Sequence, residues 1–241
     1  EAKAEIDRAV KELANEDNAN LLLFLAYFAK NQYLLDSLVA LADSMLKNEI
    51  EASVGYESAL SAPDFQALVA STRKLLDAPT TRDAGLRRRE LDEEVVQAND
   101  ITRQYIAAAK AVLLLGQLLK NNPGSLLGPE KDRLAESAYH LAFRSLGFFN
   151  RLVAENRESF IGLALESLRR DEADQSLEQL AKLAANSFHV LRFMGTHSTV
   201  RRVASALSEF SLMPLAERLS ARVSGPGPKL VALAVRLSHL S

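Results

Sequence analysis

The stretch YIAAAKAVLLLGQLL (105–119) decides the fold class, since it is rich in alanine and leucine and would be apolar on every side of a helix. The charged stretch LRRRELDEEVVQAND (86–100) precedes it without an intervening break, and such residues favour a helix over a strand. We predict one long helix from Leu86 to Asn121 that projects at its charged end and passes through the core at its apolar end. Glycine and proline in NNPGSLLGPEK (121–131) then end this helix and begin another.

Helical patterns continue on both sides of this stretch, and no segment shows the alternation expected of a strand. They predict an all-α fold, either an irregular multi-helix bundle or a helical-hairpin array, with no strands. Because the helices flanking 122–128 are both apolar, we expect them to pack together in a single helical domain, 1–241, and a boundary near 122–128 is the alternative. The other predicted helices span about 2–15, 18–30 (capped by Asp17), 32–48, 130–154, 157–170, 175–194, 198–211 and 229–240, with helix starts at SAPD (61–64) and Pro214 and a loop at 77–85.

The composition excludes several kinds of chemistry. The 241 residues contain no cysteine, which rules out disulfides, thiolate catalysis and cysteine-ligated metals and is compatible with the cytoplasmic location that we predict. The longest apolar runs, 18–29 and 105–119, are shorter than the roughly 20 residues that span a bilayer, so we expect no membrane span. The charged opening segment predicts no signal peptide, and the missing initiator methionine predicts a fragment of a longer chain.

Charge is distributed unevenly along the chain. Residues 1–70 carry 12 acidic and 5 basic side chains, whereas residues 195–241 carry 6 basic and 2 acidic ones. Such polarity favours head-to-tail contact between copies or an acidic partner at one end. The alternative is chance variation over solvated helix faces.

No catalytic motif is present, so the sequence predicts a non-enzymatic protein without a cofactor or metal. GSLLGPEK (124–131) comes nearest to a phosphate-binding P-loop, but it lacks the terminal Gly-Lys-Ser/Thr. The histidines are too far apart in sequence to bind a metal from one helix. A site assembled by folding, for instance His140 with His189, is the alternative and would define a ligand-binding or enzymatic bundle.

The stretch NSFHVLRFMGTHSTVRR (186–202) predicts a corner between two helices. Gly195 would end the first helix, and the polar residues after it would cap the second. His197 would then lie on the turn, with Arg201 and Arg202 in a first helical turn, where positive charge is mildly disfavoured. This irregularity makes His197, Arg201 and Arg202 candidate residues for binding an acidic partner.

Three consecutive arginines, Arg87, Arg88 and Arg89, complete the set of candidate partner-binding residues. Acidic residues follow them at helical salt-bridge spacing, which favours a solvated helix over a nucleic-acid-binding patch. Nucleic-acid binding through these arginines or through the basic C-terminal helices is the alternative.

Glycines inside predicted helices indicate close packing. Gly116, Gly147 and Gly162 lie in helical patterns, where glycine costs about 1 kcal/mol relative to alanine. We expect each of them to allow the close approach of a neighbouring helix, and a hinge is the alternative.

A family resemblance lies within residues 101–165. It is carried by two stretches, ITRQYIAAAKAVLLLGQLLKNNPGSL (101–126) and RLAESAYHLAFRSLGFFNRLVAENRESF (133–160). The region resembles the helical part downstream of the NTPase module in bacterial STAND-type proteins, which are signal-transducing P-loop NTPases with roles in anti-phage defence. The likeness is clearest in 113–126 and 141–149. It implies a regulatory domain of a bacterial protein. We therefore predict a non-enzymatic helical sensor, adaptor or protein-interaction domain that binds a protein partner or a neighbouring domain.

Overall fold

The regular secondary structure of the described residues is helical, with no strand among them, which confirms the all-α prediction. The computed structural model describes residues 2–13, 15–28, 32–52, 84–121, 126–159, 161–162, 177–207 and 212–239. The predicted helix start at 61–64, most of the predicted loop at 77–85 and most of the helix predicted at 157–170 lie outside these residues. The helices with described bounds are α1 (Ala2–Lys11), α2 (Glu16–Phe28), α3 (Gln32–Ser44), α4 (Ala84–Asn121), α5 (Gly128–Glu155), α6 (Leu177–Ala206), α7 (Met213–Arg222) and α8 (Pro226–Ser238).

The long helix α4 and its partner α5 form the centre of the fold and share the most extensive helix–helix contact. The apolar half of α4 is buried, as Leu114, Leu115 and Leu119 illustrate, which confirms that this half passes through the core. In α5, Leu134, Leu141 and Phe143 belong to the same hydrophobic cluster. The two helices that flank 122–128 therefore pack together, as their apolar sequences predict.

The remaining helices pack around this central pair. Helix α2 lies against α4, α3 lies against both α4 and α5, and α1 packs on α2 and α3. On the other side, α6 contacts α4 and α5, while α7 lies on α5. Helix α8 packs on α6 and α7.

Turn residues set several helix starts. Helix α5 begins with Gly128 and Pro129 as predicted, and the Leu127 N–H donates to Glu130 Oε2 at 2.8 Å, which satisfies a free amide at the helix N-terminus. Pro214 lies in the first turn of α7, also as predicted.

Two other predicted starts are wrong in detail. Asn15, rather than Asp17, supplies the capping oxygen of α2, because its Oδ1 accepts the Asp17 N–H at 2.9 Å. Helix α8 begins at Pro226, earlier than the predicted 229, since proline is well suited to a first helical turn.

The predicted corner at 186–202 is wrong, because α6 runs through Gly195 without a break. Gly195 serves helix packing instead: a Cβ there would lie 2.8 Å from Cε1 of Phe149 on α5. The Thr196 hydroxyl donates to the Arg192 carbonyl at 3.1 Å, a bond within the helix rather than a cap. The pair of short helices predicted at 175–194 and 198–211 is therefore one helix of 30 residues.

The predicted close approach of a neighbouring helix is confirmed at Gly116. A Cβ at Gly116 would contact Ala206 of α6, and one at Gly147 would collide with the carbonyl oxygen of Ile50. Close packing explains both glycines, but Ile50 belongs to the non-helical segment after α3, so the neighbour at Gly147 is not a helix. At Gly162 no atom of the described residues would lie within 4 Å of an added Cβ, so the described part of the chain shows no close packing there.

Candidate functional site

The half of α4 that packs in the core and the adjoining helix α6 share an unusual charge pattern. Residues 101–121 of α4 and 179–206 of α6 contain no aspartate or glutamate. The nearest acids on the same helices lie just outside these segments: Asp100, three residues before Arg103, and Glu178, four residues before Lys182. The cations in these two segments are Arg103, Lys110 and Lys120 on α4 and Lys182, Arg192, Arg201 and Arg202 on α6.

A cavity of about 310 Å³ lies where these two helices meet, and we call it the α4–α6 groove. Gly116 and Ala206 form the point of closest approach, and both line the groove. The other lining residues are Leu113, Gln117 and Lys120 of α4 and Ser198, Arg201, Arg202 and Ser205 of α6. Six of the nine lining residues are polar, and three of those six are cationic.

The positive charge of the groove is not neutralised within the described part of the chain. None of Lys120, Arg201 and Arg202 forms an ion pair there, and no carboxylate lines the groove. Three like charges around one cavity repel one another and create a positive potential that attracts anions. The arrangement is suited to an anionic group supplied from outside.

An exposed strip of α6 continues from the groove toward the middle of the helix. Val190, Phe193 and Met194 are 54%, 70% and 61% exposed, and the Phe193 and His197 rings stack with centroids 6.3 Å apart. Arg201 belongs both to this strip and to the groove. We call the set the α6 face: Val190, Phe193, Met194, His197 and Arg201.

Three of the predicted site residues come together here. Arg201 and Arg202 line the groove, and His197 lies one turn before Arg201 on the same side of α6. The predicted position of the two arginines in a first helical turn is wrong, however. They lie near the C-terminal end of α6 and not in a first turn. At the C-terminal end of a helix the dipole does not disfavour positive charge.

The other predicted site residues lie far from this groove. Arg87, Arg88 and Arg89 are in the first part of α4, and their side chains are outside the described structure. Between Arg89 and Lys120 the helix rises by about 45 Å. The structure therefore does not bring the arginine run together with the groove, and binding through that run stays a prediction.

The histidine alternative has a different environment. His140 Nδ1 lies 2.6 Å from Glu51 Oε1, and the His140 ring meets Tyr139 edge-on at 5.4 Å. Burial, followed by the nearby Glu51 carboxylate, raises the pKa of Tyr139 far above its ordinary value. His140 does not line the groove. The side chain of His189 lies outside the described structure, so its pairing with His140 stays untested.

One buried arginine on α5 has a structural role that was not predicted from the sequence. Arg144 is only 8% exposed, and its guanidinium donates to the carbonyls of Ala42 at 2.7 Å and Asp43 at 3.1 Å. These carbonyls belong to the last turn of α3, where backbone acceptors have no helical partner. Arg144 therefore has a structural role that satisfies the end of α3.

Neither a membrane segment nor a metal cluster is found in the described part of the chain. No helix there combines the length and the apolar character needed to cross a membrane. No group of three or more potential metal ligands occurs among the described residues. Comparison of the chain with protein-family models, with curated proteins and with solved structures found no match.

Proposed function

We propose that the chain is a non-enzymatic helical interaction domain, a sensor or adaptor, that binds a partner protein or a neighbouring domain through the α6 face. The exposure of Val190, Phe193 and Met194 on one helix carries this proposal. Adjoining apolar side chains of this size are costly to leave in water, and such patches commonly mark interaction sites. Phenylalanine, methionine and arginine are also enriched in protein interfaces.

The chemistry of the α6 face indicates the kind of segment that it binds. Val190 and Met194 need apolar side chains opposite them, while Arg201, at the groove end, favours an acidic group. An amphipathic segment with apolar residues and an acidic end meets both needs. The exposed aliphatic side chains favour a protein over a nucleic acid, because a sugar–phosphate backbone gives them no apolar surface.

A matched pair of double variants tests the proposal. Phe193→Ser with Met194→Ser removes two exposed apolar side chains from α6, and Leu233→Ser with Leu237→Ser removes two from α8. Proteins captured from lysate are compared between wild type and both variants at low and moderate salt. We expect the α6 variant to lose a protein that the α8 variant retains. Equal loss from both variants, or none, would contradict the α6 face as the binding surface.

The wider setting of the domain is a separate part of the proposal. The resemblance of residues 101–165 to STAND-type proteins supports a regulatory role beside a signal-transducing NTPase in bacterial defence, and the cysteine-free sequence is compatible with the cytoplasm. The sequence of the captured protein tests this setting. A P-loop with Gly-x-x-x-x-Gly-Lys-Ser/Thr is expected, and a partner without one would contradict the setting but not the interaction surface.

A further inference from the structure

We propose that the α4–α6 groove binds a phosphoryl group. This inference goes beyond the interaction surface, because it rests on the groove cations and does not require the α6 face to bind a protein. It starts from Lys120, Arg201 and Arg202, which surround one cavity and form no ion pair in the described structure.

The balance of charge favours a dianion over a single carboxylate. The C-terminal ends of α4 and α6 lie near the groove, and each helix end offers about half a negative charge. Together they offset about one of the three positive charges, so an excess of about two remains. A phosphoryl group carries about two negative charges at neutral pH, whereas a carboxylate carries one.

The donors around the groove also suit phosphate chemistry. A guanidinium presents several N–H groups in a planar fork that matches phosphate oxygens, so Arg201 and Arg202 supply bidentate donors. Lys120 adds an ammonium group, and Gln117 and Ser198 add an amide and a hydroxyl. None of the described residues that line the groove is acidic, so no carboxylate among them repels an anion.

The size and position of the groove leave room for the molecule that carries the phosphoryl group. A cavity of about 310 Å³ is at the small end of the range for ligand pockets and exceeds what the phosphoryl group itself needs. Because Arg201 also belongs to the α6 face, a phosphorylated residue of a bound protein can reach the groove. A free phosphorylated small molecule is the other source of the same chemistry.

Calorimetric titration of the purified chain with inorganic pyrophosphate tests the proposal, with acetate as the carboxylate control. We expect saturable 1:1 binding of pyrophosphate and none of acetate. Arg201→Gln should weaken binding about tenfold, because it removes a charge-assisted bidentate contact. Arg103→Gln, which removes an exposed cation of α4 outside the groove, should change affinity by less than about twofold. Absence of saturable binding, or an equal loss in both variants, overturns the proposal.

A second titration separates the two sources of the phosphoryl group. Its probe is a phosphoserine peptide with flanking leucines, compared with the same peptide carrying glutamate instead of phosphoserine. If the phosphopeptide binds more tightly than pyrophosphate and Phe193→Ser with Met194→Ser abolishes the difference, the phosphoryl group belongs to a protein partner. If both bind equally, the ligand is a phosphorylated small molecule, and the groove proposal stands even if the α6 face binds no protein. Equal binding of the glutamate peptide and the phosphopeptide overturns the proposal.

Discussion

Gly116 of α4 and Ala206 of α6 approach so closely that a Cβ on Gly116 would lie 2.7 Å from the Cβ of Ala206 and 3.0 Å from its Cα. Both residues line the α4–α6 groove. Helix spacing at this point is therefore limited by the backbone rather than by flexible side chains, and the same contact sets the width of the groove.

Gly116→Ala is expected to destabilise the protein. The added methyl group meets the backbone and Cβ of Ala206, and such overpacking costs about 1–3 kcal/mol. The better helix propensity of alanine offsets about 1 kcal/mol of this cost. Urea denaturation should show a lower midpoint, and pyrophosphate affinity should change because the groove is displaced.

Gly162→Ala is the matched control for that substitution. It makes the same change at a helical position where no atom of the described residues would lie within 4 Å of the added Cβ, so the gain in helix propensity should appear without a clash. The expected result is an unchanged or higher urea midpoint. A decrease as large as that of Gly116→Ala would show that the helix contact is not the cause.

Arg144→Met is expected to destabilise the protein by about 2–4 kcal/mol, since it removes the donors to the buried carbonyl of Ala42 and the partly buried carbonyl of Asp43. Arg133→Met is the comparison on the same helix. Its guanidinium lies 3.2 Å from the Asp36 carboxylate, and both side chains are about half exposed. Loss of this ion pair should therefore cost less than about 1 kcal/mol. Thermal or urea unfolding of both variants measures the difference, and equal effects would contradict the structural role of Arg144.

Tyr139 should make stability fall at alkaline pH. In the folded protein, burial and the Glu51 carboxylate raise the pKa of Tyr139, so the phenol stays protonated while the unfolded chain ionises near pH 10. The folded state then binds more protons, and the free energy of unfolding decreases as pH rises above that value.

Tyr139→Phe tests this dependence, because it removes the hydroxyl and keeps the stacked ring beside Phe143. Relative to wild type, the variant should gain stability between about pH 8 and about pH 10.5. Urea midpoints at the two pH values measure the change. A constant difference between the two proteins would exclude Tyr139 as a source of the alkaline loss.

The continuity of α6 has its own test by amide hydrogen exchange. In a continuous helix the amides from Gly195 to Val200 are bonded to carbonyls one turn earlier, so they should be protected to a similar degree as their neighbours. A corner at Gly195 would leave several of these amides free. Fast exchange confined to this segment would therefore contradict the structure.

The parts of the fold that depend on local pattern could be predicted from the sequence. The long helix α4 and the starts of α5 and α7 follow from composition, periodicity and proline position. The course of α6 could not, because Gly195 is compatible with a helix end and with close helix packing. Contact with Phe149, a residue of another helix, decides between them.

The candidate site could be predicted only in part. Arg201 and Arg202 stand out in the sequence, but Gln117 and Lys120 come from a helix that only the fold places opposite them. A usable signal was present, since residues 101–121 and 179–206 contain cations and no acids.

The burial of Arg144 could also have been predicted from the sequence. Arg144 is three residues after Leu141 and four before Phe148, which places it on the buried stripe of α5. Its hydrogen-bond acceptors could not be predicted, because they belong to α3.

Photo-cross-linking in cells tests the central claim, binding of a protein through the α6 face, most directly. A benzophenone amino acid replaces Phe193 in one variant and Phe24, 58% exposed on α2, in the control. The α6 face as a binding surface predicts a discrete cross-link to one protein from position 193 and none from position 24. No cross-link at position 193, or the same products from both positions, would contradict it.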